Sequence, residues 1–141
     1  IGIGSDHGGY ALKQAVIKHL EDKGYAVKDY GCYSEESCDY PVYAKAVANA
    51  VKDGKVEKGI LICGTGIGIS ITANKIKGIR AALCSDTFSA HATREHNDAN
   101  ILAMGARVVG EGLALDIVDT FLETEFSNDE RHIRRINQIE D

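Results

Sequence analysis

The chain has 141 residues and a net charge of −5 at neutral pH. Its 44% hydrophobic and 26% charged residues describe a globular chain able to bury a core, not a disordered one. The acidic balance gives no footing for general nucleic-acid binding and no run reaches transmembrane length, so neither nucleic acid nor membrane is expected as a partner.

Ile1-Gly2-Ile3-Gly4 reads as the interior of a first strand, with a residue or two expected upstream and no signal-peptide pattern. Ser5 to Gly9 turns the chain into a helix from about Tyr10 to Lys23. Leu12, Val16 and Leu20 form its apolar stripe, Lys13, Lys18 and Glu21 lie off it, and Gly24 stops it. Tyr25 to Tyr30 reads as a second strand. Gly31 to Tyr40 is an irregular loop, and Pro41 opens a helix that carries Val47 and Val51 and ends near Gly54. Ile60-Leu61-Ile62 is a buried strand, followed by glycines at alternate positions, Gly64, Gly66 and Gly68, and a small-residue helix with Ala73 and Lys75. Ile79 to Cys84 is a fourth strand, and Ser85-Asp86 caps a helix to about Glu95. His96-Asn97-Asp98 is polar, and Asn100 to Met104 is a fifth strand. A helix from about Gly112 to Glu123 buries Ile117, Phe121 and Leu122. Asn128-Asp129 caps a last helix, Glu130 to Ile139, with a basic start.

Strands and helices alternate without linker or repeat. This pattern predicts one α/β domain spanning 1–141, a three-layer doubly wound (Rossmann-like) sheet of five parallel strands with helices on both faces. Ligands of such sheets bind beyond the carboxyl ends of the strands. The turns expected there are Ser5-Asp6-His7, Cys63 to Gly68, Cys84-Ser85-Asp86 and Gly105-Ala106-Arg107. His96 precedes the fifth strand, so it falls at the other end unless a long loop or another subunit brings it over.

The four cysteines, Cys32, Cys38, Cys63 and Cys84, form no C-x-x-C pair and fit no zinc spacing. They read as reduced thiols of a cytoplasmic protein, with a Cys32–Cys38 disulfide the weaker alternative. By residue type, a cysteine that closes a buried strand is a small core residue. Cys63, however, faces a glycine turn and a helix N-terminus, which gather backbone N–H groups and favour an anion. The same setting favours a thiolate, which could act as nucleophile or base. The spacing is neither the dinucleotide fingerprint nor a Walker A loop, and it suits a small oxyanion or phosphate. Asp6-His7 reads either as a capping pair or as contacts for sugar hydroxyls. Arg131 and Arg135 share a helix face. They read either as a solvated patch or, with Arg107, as a phosphate clamp.

Taken together, these motifs resemble ribose-5-phosphate isomerase type B and its relatives, the galactose-6-phosphate isomerase subunits and allose-6-phosphate isomerase. The marks run end to end. They are Gly4 to Gly9, Asp39-Tyr40-Pro41, Ile62 to Gly68 through Ala73-Asn74-Lys75, Arg94 to Asn100, Gly105 to Gly110, and Arg131-His132 with Arg135.

The resemblance implies an aldose–ketose isomerase of the non-oxidative pentose phosphate pathway that interconverts ribose 5-phosphate and ribulose 5-phosphate without metal or organic cofactor. It implies Cys63 as the base, Thr65 and the Gly64, Gly66, Ile67 and Gly68 turn as the enediolate site, and His96 as the ring opener. Asp6, His7 and Asn97 match sugar contacts, and Arg107, Arg131 and Arg135 match phosphate contacts. It also implies a homodimer, or a dimer of dimers, with active sites at the subunit interface and the C-terminal helix packing there. That arrangement would let His96 and Arg107 serve a neighbouring chain's Cys63. Family members without this cysteine carry a glutamate at the position of Ile69, so apolar Ile69 places the chain with the cysteine members. Three alternatives stand beside this reading: a six-carbon substrate such as allose 6-phosphate or galactose 6-phosphate, a non-catalytic sugar-phosphate-binding module, and a Cys63–His96 covalent hydrolase.

Overall fold

The computed structural model describes all of residues 1–141. Its strands are β1 (Gly2–Ser5), β2 (Lys28–Asp29), β3 (Gly59–Cys63), β4 (Ala81–Leu83) and β5 (Ile101–Gly105). All pair in parallel, in the order β2-β1-β3-β5-β4. The doubly wound α/β sheet expected from the alternation is present. The central strands β1, β3 and β5 are buried along their whole length, as their apolar runs require. Their register sets Ser5 beside Ile62 and Cys63 beside Gly105.

The helices are α1 (Tyr10–Asp22), α2 (Tyr40–Lys52), α3 (Ile67–Ala73), α4 (Thr87–Asn97), α5 (Glu111–Glu123) and α6 (Glu130–Glu140), with a 3-10 turn at His7–Gly9. Alternation along the strands divides the core in two. Ile60, Ile62, Leu102 and Met104 pack with Val16, Leu20, Ala90, Ile117 and Phe121, from α1, α4 and α5. Leu61, Cys63, Ile101 and Ala103 pack with Val47, Ala48, Ile69 and Ala73, from α2 and α3. Gly59 lets α2 approach this second face, because a Cβ there would lie 2.6 Å from Val47 Cγ1.

Four sequence expectations change. The second strand shrinks to two residues, Lys28 and Asp29, which pair with Gly2 and Ile3 of β1. The fourth shrinks to three, on the sheet edge. Lys13, assigned off the apolar stripe, is fully buried: its Nζ donates to both carboxylate oxygens of Asp29 at 2.6 and 2.7 Å, under the rings of Tyr10 and Tyr33. Leu122 is half-buried, packed on the rim of the core that Phe121 fills.

Candidate active site

The chain leaves β1 for α1 and leaves β3 for α3, and these helices lie on opposite faces of the sheet. A crevice therefore opens between the two carboxyl ends, the usual ligand position in such sheets. Asp6 and His7 line one side and Cys63 to Gly68 the other. The sides are close: Asp6 N–H donates to Ile62 O at 3.2 Å. Asp6 is buried and spends Oδ1 on Gly9 N–H at 3.1 Å, which caps the turn and leaves exposed His7 at its lip. The capping reading of Asp6 holds: its carboxylate caps the turn.

Cys63 is the last residue of β3 and is buried. Gly66 N–H donates to its Sγ at 3.1 Å. That contact requires Gly66 at φ +78°, a left-handed conformation suited to glycine. Thr65 Oγ1 accepts from Ile67 N–H at 3.2 Å and so caps α3. Gly68 and Ile69, in the same first turn, have backbone N–H groups that the helix itself does not use. Ile69 is fully buried among the α2 and α3 side chains, so that position holds no acid or base.

Arg107 belongs to the same end. Its backbone N–H donates to Gly64 O at 3.0 Å, and its side chain lies along Gly64. The chain's own fold thus brings Arg107 to the turn, without a neighbouring copy. Two further residues line the crevice, Cys38 and Tyr40, and residue type did not mark them. Cys38 N–H donates to His7 Nδ1 at 3.2 Å, so that nitrogen is the acceptor and Nε2 carries the proton of the neutral ring. Burial, with the Cys32 thiol next to it, pushes the Cys38 thiol above its usual range. The Tyr40 ring covers Gly68, where a Cβ would lie 2.6 Å from Cζ. Tyr40 stood in the Asp39-Tyr40-Pro41 motif, the only signal that pointed to it. The remaining thiol, Cys84, is pushed up to about 11 by burial and then by Asp86, which leaves it a protonated core group.

The helix expected to end near Glu95 runs on to Asn97, so His96 and Asn97 lie in the last turn of α4. They stand before β5, at the opposite end of the sheet from Cys63. His132 of α6 stacks on His96 with ring centroids 4.5 Å apart. Burial, then the His96 and Arg131 charges, hold the His132 imidazole below its usual pKa. Arg131 and Arg135 ride on the same helix and are exposed. One chain therefore carries two groups. Asp6, His7, Cys63, Thr65, the glycine turn and Arg107 form one; His96, Asn97, Arg131 and Arg135 form the other. A cleft of about 670 Å³ lies by the second group, lined by Lys75, Arg80, Asn97 and Glu140, and does not reach Cys63. No three His, Cys, Asp or Glu side chains converge as a metal-binding set.

A parallel sheet with a thiol, a glycine turn and a helix N-terminus at its switch point has these groups where doubly wound α/β proteins take a ligand. The sequence matches the Ribose/Galactose Isomerase family over residues 1–139, and the chain belongs to that family. It is 51% identical to ribose-5-phosphate isomerase B of Escherichia coli, over 99% of this chain and 93% of that protein. The solved structure of the Clostridium thermocellum ribose-5-phosphate isomerase B superposes with a TM-score of 0.97 at 57% identity, covering 99% of this chain and 93% of that one. The Mycoplasma genitalium enzyme, solved with bound ribulose-5-phosphate, superposes at 0.93 with 42% identity, covering 99% and 92%.

Proposed function

We infer that this chain is an aldose–ketose isomerase that interconverts ribose 5-phosphate and ribulose 5-phosphate, with Cys63 as the base. The observation that carries the base assignment is the buried Cys63 Sγ, held at 3.1 Å by Gly66 N–H and facing the first turn of α3. A thiolate there takes the proton from C2 of the open-chain aldose and returns it at C1. The electron pair rests meanwhile on the enediolate oxygens, and the hydroxyl proton passes from O2 to O1, leaving the C2 carbonyl and C1 hydroxyl of the ketose. Thr65 and the amides of Gly64 to Gly68 hold those oxygens, and each preorganised donor contributes about 3–4 kcal/mol. Asp6, His7 and Asn97 contact the sugar, and His96 opens its ring. Arg107, Arg131 and Arg135 hold the phosphate, a remote grip that orients the reacting carbons. The whole chain acts as one catalytic domain in the cytoplasm, where the four free thiols stay reduced.

The site is completed in a homodimer, in which a second copy brings His96, Asn97, Arg131 and Arg135 to the Cys63 crevice. Two observations support this reading. The two groups stand at opposite ends of one sheet. Ile67, Ile71, Leu83, Phe88 and Val108 are large apolar side chains left exposed, of the kind a second chain covers.

Cys63→Ala tests the base. A positioned base contributes about 10²–10⁴-fold, so net isomerisation and solvent-deuterium uptake at C1 of ribulose 5-phosphate should both fall by about that factor. Binding of ribose 5-phosphate should persist. Near-normal turnover would remove Cys63 from the chemistry. Binding without deuterium uptake in the wild-type protein would favour a sugar-phosphate-binding module instead.

A further inference from the structure

Arg80 stands one residue before β4, and its guanidinium is committed to three acceptors. Nε–H donates to Asn97 O and Nη2–H to Asp98 O, both at 2.9 Å, and Nη1–H donates to the Glu140 carboxylate at 2.6 Å. The first two are carbonyls at the end of α4, which a helix leaves without intrahelical donors. A cation there also meets the negative end of the helix dipole. Buried Arg94 completes the hold, with Nη1–H donating to Asp98 Oδ1 at 2.8 Å and Ala99 O at 2.7 Å. The segment that carries His96 and Asn97 is thus pinned by two guanidiniums.

Glu140 is the last residue of α6, whose other end carries His132, stacked on His96. The 11 residues of α6 make a rod about 16 Å long. A rod fastened at both ends has one orientation, and Arg131 and Arg135 are carried by it.

We propose that Arg80 and Glu140 are positioning residues, whose ion pair sets α6 against the end of α4 so that Arg131 and Arg135 stand at the distance from His96 and Asn97 that one sugar phosphate spans. This rests on the reading of those four residues as sugar and phosphate contacts. The pair is suited to the task. Its side chains are 18% and 28% exposed, so water screens it only in part. The planar fork of Arg80 is already oriented by its two carbonyls, which a lysine point charge could not reproduce.

The test is a mutant cycle on the whole protein with ribose 5-phosphate as substrate. Glu140→Ala should raise KM about tenfold and leave kcat within about twofold, the pattern of a binding group displaced from its place. Glu140→Gln keeps an acceptor oxygen and should recover most of the loss. In an Arg131→Ala background, Glu140→Ala should add less than it costs alone, because only Arg135 is left for it to place. An unchanged KM in Glu140→Ala overturns the proposal. Full additivity with Arg131→Ala also overturns it, since a general loosening of the fold behaves that way. An unchanged KM in Arg131→Ala alone overturns the phosphate reading on which the proposal rests, and is a separate result.

Discussion

Gly66→Ala asks how far the site depends on a single backbone angle. At φ +78° an added Cβ costs about 1–2 kcal/mol by itself. It would also stand 2.5 Å from Leu83 Cδ1, 2.7 Å from the carbonyl carbon of Met104 and 2.9 Å from its oxygen. Leu83 ends an edge strand and is partly exposed, so its methyl can swing away. The Met104 carbonyl cannot, because it belongs to the fully buried strand β5. The turn itself must lift off β5, an overpacking cost of about 1–3 kcal/mol. The sum, about 2–5 kcal/mol, is a large part of the roughly 5–15 kcal/mol that holds a domain together. It corresponds to a fall in Tm of roughly 6–20 °C for a chain of this size. Lifting the turn also takes the Gly66 N–H away from Cys63 Sγ, so kcat should fall with stability. Gly64→Ala is the matched comparison: its Cβ meets only Arg107, at 3.7 and 3.9 Å, an ordinary contact. Its stability loss should stay under about 1 kcal/mol. Urea unfolding of both variants, with kcat measured alongside, decides the matter. Equal losses in the two would refute the argument from φ and close approach.

Lys13→Met should destabilise by about 2–4 kcal/mol. It leaves the Asp29 carboxylate without its cation, although that carboxylate is 29% exposed and keeps the Gly31 N–H at 2.8 Å. Denaturant titration would show it, and a loss under about 0.5 kcal/mol would mean the pair is stabilised no better than a surface one. For His132, the folded chain favours the neutral ring, so the unfolded chain takes up the proton first. The stability it contributes is complete above its unfolded pKa and is lost as pH falls through that value towards the lowered folded one. His132→Asn should therefore narrow the Tm difference between about pH 7.5 and about pH 5. An unchanged difference would show that neither burial nor the His96, Arg131 and Arg135 charges hold the ring neutral.

The central sheet was legible because β3 and β5 are apolar at every position and buried strands require that. The edges were not. Tyr25 to Val27 has strand-forming residues but lies outside the two rungs that pair β2 with β1, and no local pattern encodes where a neighbour pairs. Lys13 was misplaced for a related reason: its partner Asp29 lies 16 residues away, and helical periodicity treats any lysine as solvent-facing. Within the site, Cys63 was legible because a strand end, three glycines and a helix start are contiguous in the chain. The Arg80–Glu140 link spans 60 residues and joins two ordinary charged residues, so no spacing rule could have paired them. The opposition of His96 to Cys63 followed from topology alone, since a residue before a parallel strand cannot share an end with a residue after one.

The position of Cys63 as the last rung of β3 has a dynamic consequence. Its strand pairs with β1 on one side and β5 on the other, and its side chain is part of the core. Hydrogen exchange there is gated by opening of the whole domain. The arginine helix α6 is fastened by a ring stack, an ion pair and few buried side chains, and its amides exchange through local opening. Cys63 is thus fixed by the sheet itself, whereas Arg131 and Arg135 are held only as firmly as the side chains that fasten α6.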